Sequence, residues 1–113
     1  MTDCIFCKIV AGEIPSDKVY EDEEILAFRD ISPAAPVHIL FIPKKHFANL
    51  SEAADEDQAL LGRMMRIIGK QAAGLGLPES YRLVSNRGEA AGQSVDHFHL
   101  HLLGGRDMLW PPG

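Results

Sequence analysis

Seven residues near the end of the chain, HFHLHLL at 97–103, constrain its fold more than any other stretch. Polar and apolar side chains alternate strictly from His97 to Leu102, and a period of two predicts a half-buried strand. On such a strand His97, His99 and His101 share one face and Phe98, Leu100 and Leu102 the other, with same-face neighbours about 6.8 Å apart. An imidazole, with an ordinary pKa of about 6.5, can serve as base, acid, nucleophile or metal ligand near neutral pH. A ladder of three in one cleft suits proton-coupled chemistry or metal binding. As plain packing it would demand partners for three rings, at about 1 to 3 kcal/mol for each buried group left unpaired.

At 113 residues the chain is expected to form one domain, large enough for a real core. Hydrophobic residues make up 46% and charged residues 24%, the balance of a soluble globular protein. The net charge of −5 repels polyanions and argues against non-specific nucleic-acid binding. MTDCIF lacks the basic and apolar regions of a signal peptide, and no apolar run approaches a membrane span, so a cytoplasmic location is expected.

From Cys4 to Gly12 the apolar residues Ile5, Phe6, Ile9 and Val10 recur at spacings of three and four, which predicts a short helix stopped by Gly12. Val19–Tyr20 and Ile25–Arg29 read as strands joined by the acidic turn 21–24, and Val37–Ile42 as a third after Pro33 and Pro36. Leu60, Leu61, Met64, Ile67, Ile68, Ala72 and Leu75 mark one face of a long core helix spanning about 51–75, with acidic residues at its start and Lys70 near its end. Tyr81–Ser85 reads as a fourth strand and the histidine stretch as the fifth. The expected fold class is α+β with an antiparallel sheet.

The histidine ladder alone makes a poor hydrolytic metal centre. An H-x-H pair could hold an ion, but the third ring then has no role, and Asp96 falls on the opposite face by the same alternation. The preceding loop, NRGEAAGQS, offers what a phosphate needs: Gly88 and Gly92 for close backbone approach, and Asn86, Gln93 and Ser94 as neutral donors. It lacks the lysine and glycine spacing of a Walker loop. A phosphate held there beside a neutral imidazole suggests nucleophilic attack on phosphorus through a covalent phosphohistidine-type intermediate. The second ring nitrogen must then keep its proton on an acceptor.

The setting QSVDHFHLHLLGGRDMLWPPG, with AFRDISPAAPVHILFIPKKH upstream, resembles the histidine triad nucleotide-binding proteins over nearly the whole chain. The resemblance implies a five-stranded antiparallel sheet with one short N-terminal and one long central helix. It implies His99 as the nucleophile that takes the nucleotidyl group, His101 as its phosphate-contacting neighbour and His38 as the histidine that orients them. Asn86 and Ser94 would contact the phosphate or leaving group, Phe6, Ile9 and Phe28 would wall the nucleobase, and Asp30 with Ile31 would meet the ribose. For Phe6, Ile9, Phe28 and Ile31 core packing is the alternative. The implied substrates are purine nucleotides, with Gly104-Gly105 and the terminal Trp110-Pro111-Pro112-Gly113 favouring nucleoside phosphoramidates over dinucleoside polyphosphates. A nucleotide- or partner-binding module with little turnover is the alternative from another class.

The resemblance also implies a homodimer in which Trp110 lies near the partner's site; the alternative is that Trp110 folds back on its own domain. Two features depart from the best-known members. Asp96 stands where an aromatic residue is common, and Cys4 and Cys7 form a C-x-x-C too near the start of the chain for a thioredoxin-like motif. Structural zinc held by Cys4, Cys7, His46 and His97, as in related members, gives all four a role. Two free core thiols with a surface His46 are the alternative.

Overall fold

The structure, a computed structural model, describes residues 3–113. Five strands, β1 (Lys18–Glu21), β2 (Ile25–Arg29), β3 (Val37–Pro43), β4 (Arg82–Val84) and β5 (Leu100–Gly104), form one antiparallel sheet in the order β1-β2-β3-β5-β4. Helix α1 (Ile5–Val10) and helix α2 (Gln58–Gln71) complete the α+β fold expected from the pattern. Among the described residues no helix is long and apolar enough to cross a membrane.

Strand alternation sorts the core into two clusters. Ile25, Ala27, Ile39, Phe41, Leu100 and Leu102 pack with Leu60, Met64, Ile67 and Ile68 of α2. Leu26, Phe28, Leu40 and Ile42 face the other way and meet only Phe6 and Ile9 of the short α1 among buried residues. The smaller cluster leaves room for a cleft.

The long helix and the histidine strand are both shorter than the sequence pattern predicts. The long helix starts at Gln58, because polar side chains upstream capture the backbone for themselves. Asn49 Oδ1 accepts from Glu52 N at 3.1 Å, Ala53 and Ala54 are extended, and Asp57 Oδ2 accepts from Ala54 N at 2.9 Å while its Oδ1 takes Lys45 Nζ at 2.6 Å. At the other end a 3-10 turn at Ala73–Leu75 runs into Gly76, whose φ of 92° suits glycine.

The histidine strand begins at Leu100, so of the three histidines only His101 lies on it. The β3–β5 register ends at Phe41 opposite Leu100, and continuing it would set Phe98 against Pro43, which has no N–H to donate. Phe98 N instead donates to Phe47 O at 2.7 Å. The expected ladder of three same-face rings is therefore replaced by a kinked segment that sends His97 one way and His99 another.

Candidate active site

His99 and His101 line a cleft of about 760 Å³ with Phe6, Ile9, Phe28 and Ser94. Their ring centroids lie 4.9 Å apart, and Phe6 meets the His99 ring edge-on at 5.2 Å. The buried His99 donates from Nδ1 to the His97 carbonyl oxygen at 2.7 Å. That bond fixes the proton on Nδ1 and leaves the Nε2 lone pair free.

The protonation of His101 follows from a chain of contacts. Ala34 N–H, which can only donate, lies 3.0 Å from His38 Nδ1, so a neutral His38 carries its proton on Nε2. His38 Nε2–H donates to His101 Nδ1 at 2.9 Å, which leaves the His101 proton on Nε2. The site thus pairs an imidazole that offers a lone pair with one that offers a proton. Burial, helped by the neighbouring His99 and His38, lowers the His101 pKa to about 4 against a weaker pull from Asp30. Burial lowers that of His38 as well, again opposed by Asp30.

Asp30 has structural partners of its own: Oδ1 accepts from Ser32 N at 2.8 Å, and Oδ2 lies 3.4 Å from His38 Nε2. It lines the cleft beside Ile31, which is 99% exposed at the rim. Asp30, His38 and His101 are close enough to share an ion, but both His38 nitrogens are already engaged, Nδ1 by the Ala34 N–H and Nε2 by His101 Nδ1.

Gln93 does not act as a loop donor toward the cleft. It is buried, with Nε2 donating to Ala48 O (2.6 Å) and Val95 O (3.1 Å) and Oε1 accepting from Gly88 N (2.8 Å), so it pins the loop. Asn86 is half-buried on the loop after β4 and is not part of the cleft wall, whereas Ser94 is exposed on it. Ile14, Pro15, Ser16 and Asp17 also line the cleft. The sequence pattern missed them because they sit in an aperiodic connection, where the Ile14-Pro15 pair reads only as a turn. Asp96 is exposed, and the packing behind the histidines comes from Phe98 stacked on Phe47 at 5.3 Å.

The second cluster lies behind the first. Cys4, Cys7, His46 and His97 present one ligand atom each, all within 4.8 Å of one another. His97 Nδ1 stands 3.1 Å from His46 Nδ1, 3.4 Å from Cys4 Sγ and 3.6 Å from Cys7 Sγ, and Cys7 Sγ is 3.4 Å from His46 Nδ1. A tetrahedron with bonds of about 2.0 Å to nitrogen and 2.3 Å to sulfur has edges of roughly 3.3 to 3.8 Å, close to these separations. His97 Nε2–H donates to Pro43 O at 2.7 Å, which turns the Nδ1 lone pair toward the sulfurs, and a second bond of this kind is what orients metal-ligating histidines. Both thiols are free, and burial together with the Cys4 sulfur pushes Cys7 up to about 11. The four residues fit a tetrahedral N2S2 metal.

At the chain's end Trp110 is 81% exposed and does not fold back onto its own domain, although Arg82 Nη2 holds the Leu109 carbonyl at 2.9 Å.

Comparison with known proteins agrees with this geometry. A family model described as the HIT domain matches residues 11–108. An uncharacterised HIT-like protein of Synechococcus elongatus is 59% identical over 111 residues, 98% of this chain and 97% of that protein. The crystal structure of a HIT family hydrolase from Legionella pneumophila is 54% identical, superposes with a TM-score of 0.95 and is covered in full by 98% of this chain. A histidine triad nucleotide-binding protein from Candida albicans is 40% identical with a TM-score of 0.79, over 88% of this chain and 73% of that one. With the sheet order, the paired histidines and these matches in agreement, the chain belongs to the HIT family.

Proposed function

We propose that the protein is a nucleotide hydrolase that releases a nucleoside monophosphate from a purine nucleoside phosphoramidate through a nucleotidyl-His99 intermediate. One observation carries this reading: His99 Nδ1 is committed to the His97 carbonyl, so Nε2 meets the cleft as an unprotonated nucleophile. The names of the Legionella hydrolase and the Candida nucleotide-binding protein support the reaction class and the ligand class.

In the first step the His99 Nε2 lone pair bonds to phosphorus and the phosphorus–nitrogen bond breaks. The departing amine keeps that electron pair and takes a proton from solvent at the exposed rim beside Ser94. The His101 Nε2–H stabilises charge on a phosphoryl oxygen without giving up its proton, because His38 already donates to its other nitrogen. In the second step water adds to phosphorus, the bond to Nε2 breaks with its pair returning to His99, and the surplus water proton leaves to solvent. His38, with Asp30 beside it, positions His101. Phe6, Ile9 and Phe28 wall the base by apolar contact, with Asp30 and Ile31 at the ribose. Turnover of adenosine 5′-phosphoramidate with release of AMP tests this assignment; AMP binding without any turnover would contradict it in favour of a binding module.

Cys4, Cys7, His46 and His97 would hold one structural zinc, which supplies cross-linking of α1 to the β3 and β5 ends and no chemistry on substrate. Elemental analysis near one zinc per chain is the expected result. The exposed Trp110 and Leu109 support a homodimer in which the tail packs near the partner's cleft.

A further inference from the structure

Helix α1 serves both clusters at once. Cys4 caps it, its sulfur accepting from Cys7 N at 3.3 Å, and Cys7 lies one turn on. Between the cysteines Phe6 enters the cleft, edge-on to His99 at 5.2 Å, Phe28 at 5.6 Å and His97 at 5.9 Å. Ile9 follows on the same wall. At six residues the helix is far too short to hold itself together, so its place depends on what its ends are tied to.

His97 serves both clusters as well. Its ring is held at two points, Nδ1 among the sulfurs and Nε2 on the Pro43 carbonyl, while its own carbonyl sets the tautomer of His99. Ring and carbonyl belong to one residue, so a movement of the first is felt by the second. Without a cation the two sulfurs meet the ring nitrogens only as weak hydrogen-bond partners, Cys4 Sγ to His97 Nδ1 and Cys7 Sγ to His46 Nδ1 at 3.4 Å each, so α1 and His97 are joined far less firmly than through a shared metal.

We propose that the Cys4-Cys7-His46-His97 cluster is a positioning device for the reaction, with Phe6 and His97 as its two outputs. A divalent metal bound there fixes the base wall and the orientation of the nucleophile in a single clamp, so that metal and nucleotide bind cooperatively. The inference rests on the metal and nucleotide readings above and adds the coupling between them. Linkage makes the coupling reciprocal: a metal that tightens nucleotide binding is itself held more tightly when nucleotide is present.

The test uses the full chain loaded with cobalt(II), whose thiolate absorption reports occupancy. Equilibrium competition with a chelator, with and without saturating AMP, should show AMP tightening cobalt binding about tenfold, within the usual range of such couplings. Nitrogen-15 spectra of the His99 ring should show a single tautomer, protonated at Nδ1, in the loaded protein and a mixture after stripping. Phe6→Leu should still load cobalt yet lose most of the AMP effect. Cobalt affinity equal with and without AMP, together with an unchanged His99 spectrum on stripping, overturns the clamp while leaving the metal reading intact. Failure to load cobalt with thiolate absorption overturns the metal reading and the clamp with it, and a loaded protein that does not bind AMP overturns the nucleotide reading. Should the stripped chain unfold, the competition on the loaded protein decides alone.

Discussion

On β3, Ile39 and Phe41 point to one side of the sheet and His38, Leu40 and Ile42 to the other, and the two sides have different neighbours. The first meets α2 through a cluster that also takes in Ile25, Ala27, Leu100 and Leu102 and excludes water almost completely. The second meets the short α1, a smaller cluster and an open cleft. Fully burying a side chain of this size stabilises the fold by about 1.5–3 kcal/mol, so most of the stability comes from the α2 face. Buried histidines and a cleft are tolerated on the other face because the first carries the fold.

The two faces differ most sharply at His99. His99→Ala should lower kcat/KM for adenosine 5′-phosphoramidate by on the order of 10⁴-fold, because in the proposed mechanism the removed group is the nucleophile. AMP affinity should stay within about tenfold, as measured by calorimetry. A variant that keeps a tenth of the activity contradicts the assignment.

On the opposite face, Met64 is fully buried, and Met64→Ala should cost about 2–5 kcal/mol in urea denaturation. The folded fraction should still bind AMP with unchanged affinity. A loss of binding without a loss of stability would show that the two faces are not separable as argued.

Acid should act through the cleft face. Folded His101 stays neutral down to about pH 4, whereas an unfolded imidazole takes its proton near 6.5. Between those values the unfolded state binds the extra proton, so stability falls as pH drops through the window, by on the order of 1–2 kcal/mol for a ring that stays partly open to the cleft. His101→Gln should flatten that part of the stability–pH curve. Parallel curves for the two proteins would show that this histidine does not carry the effect.

The smallest effect on stability is expected at the tail. Deleting residues 109–113 removes the exposed Leu109 and Trp110 and should change the stability of the single chain by less than about 1 kcal/mol. Light scattering should report a dimer for the intact protein, and the truncated protein should rank leaving groups differently. A monomeric intact protein, or an unchanged ranking, removes the shared-site proposal.

The α2 face was legible in the sequence because regular periods encode it: Leu60, Met64, Ile67 and Ile68 repeat at helix spacing, and the strand Ile25–Arg29 has the bounds its pattern predicts. The cleft face was legible only where residue type carries the message. Cys4, Cys7, His46 and His97 come together as expected, although they span 93 positions. Local hydrogen bonding, which no period records, defeated the rest. The break before Leu100 comes from the missing N–H of Pro43, the late start of α2 from Asn49 and Asp57, and the inward turn of Gln93 from three backbone groups around it. Ile14–Asp17 joined the cleft through tertiary placement alone.

In the proposed reaction His99 Nε2 becomes covalently bonded to phosphorus during turnover. Protein mixed with adenosine 5′-phosphoramidate, quenched within the first turnovers without acid and digested for mass spectrometry, should carry one adenylyl group on the peptide containing His97–His101, with fragmentation assigning it to His99. An adduct on His97 or His101, or multiple-turnover hydrolysis with no trapped nucleotidyl group at any quench time, would contradict the account.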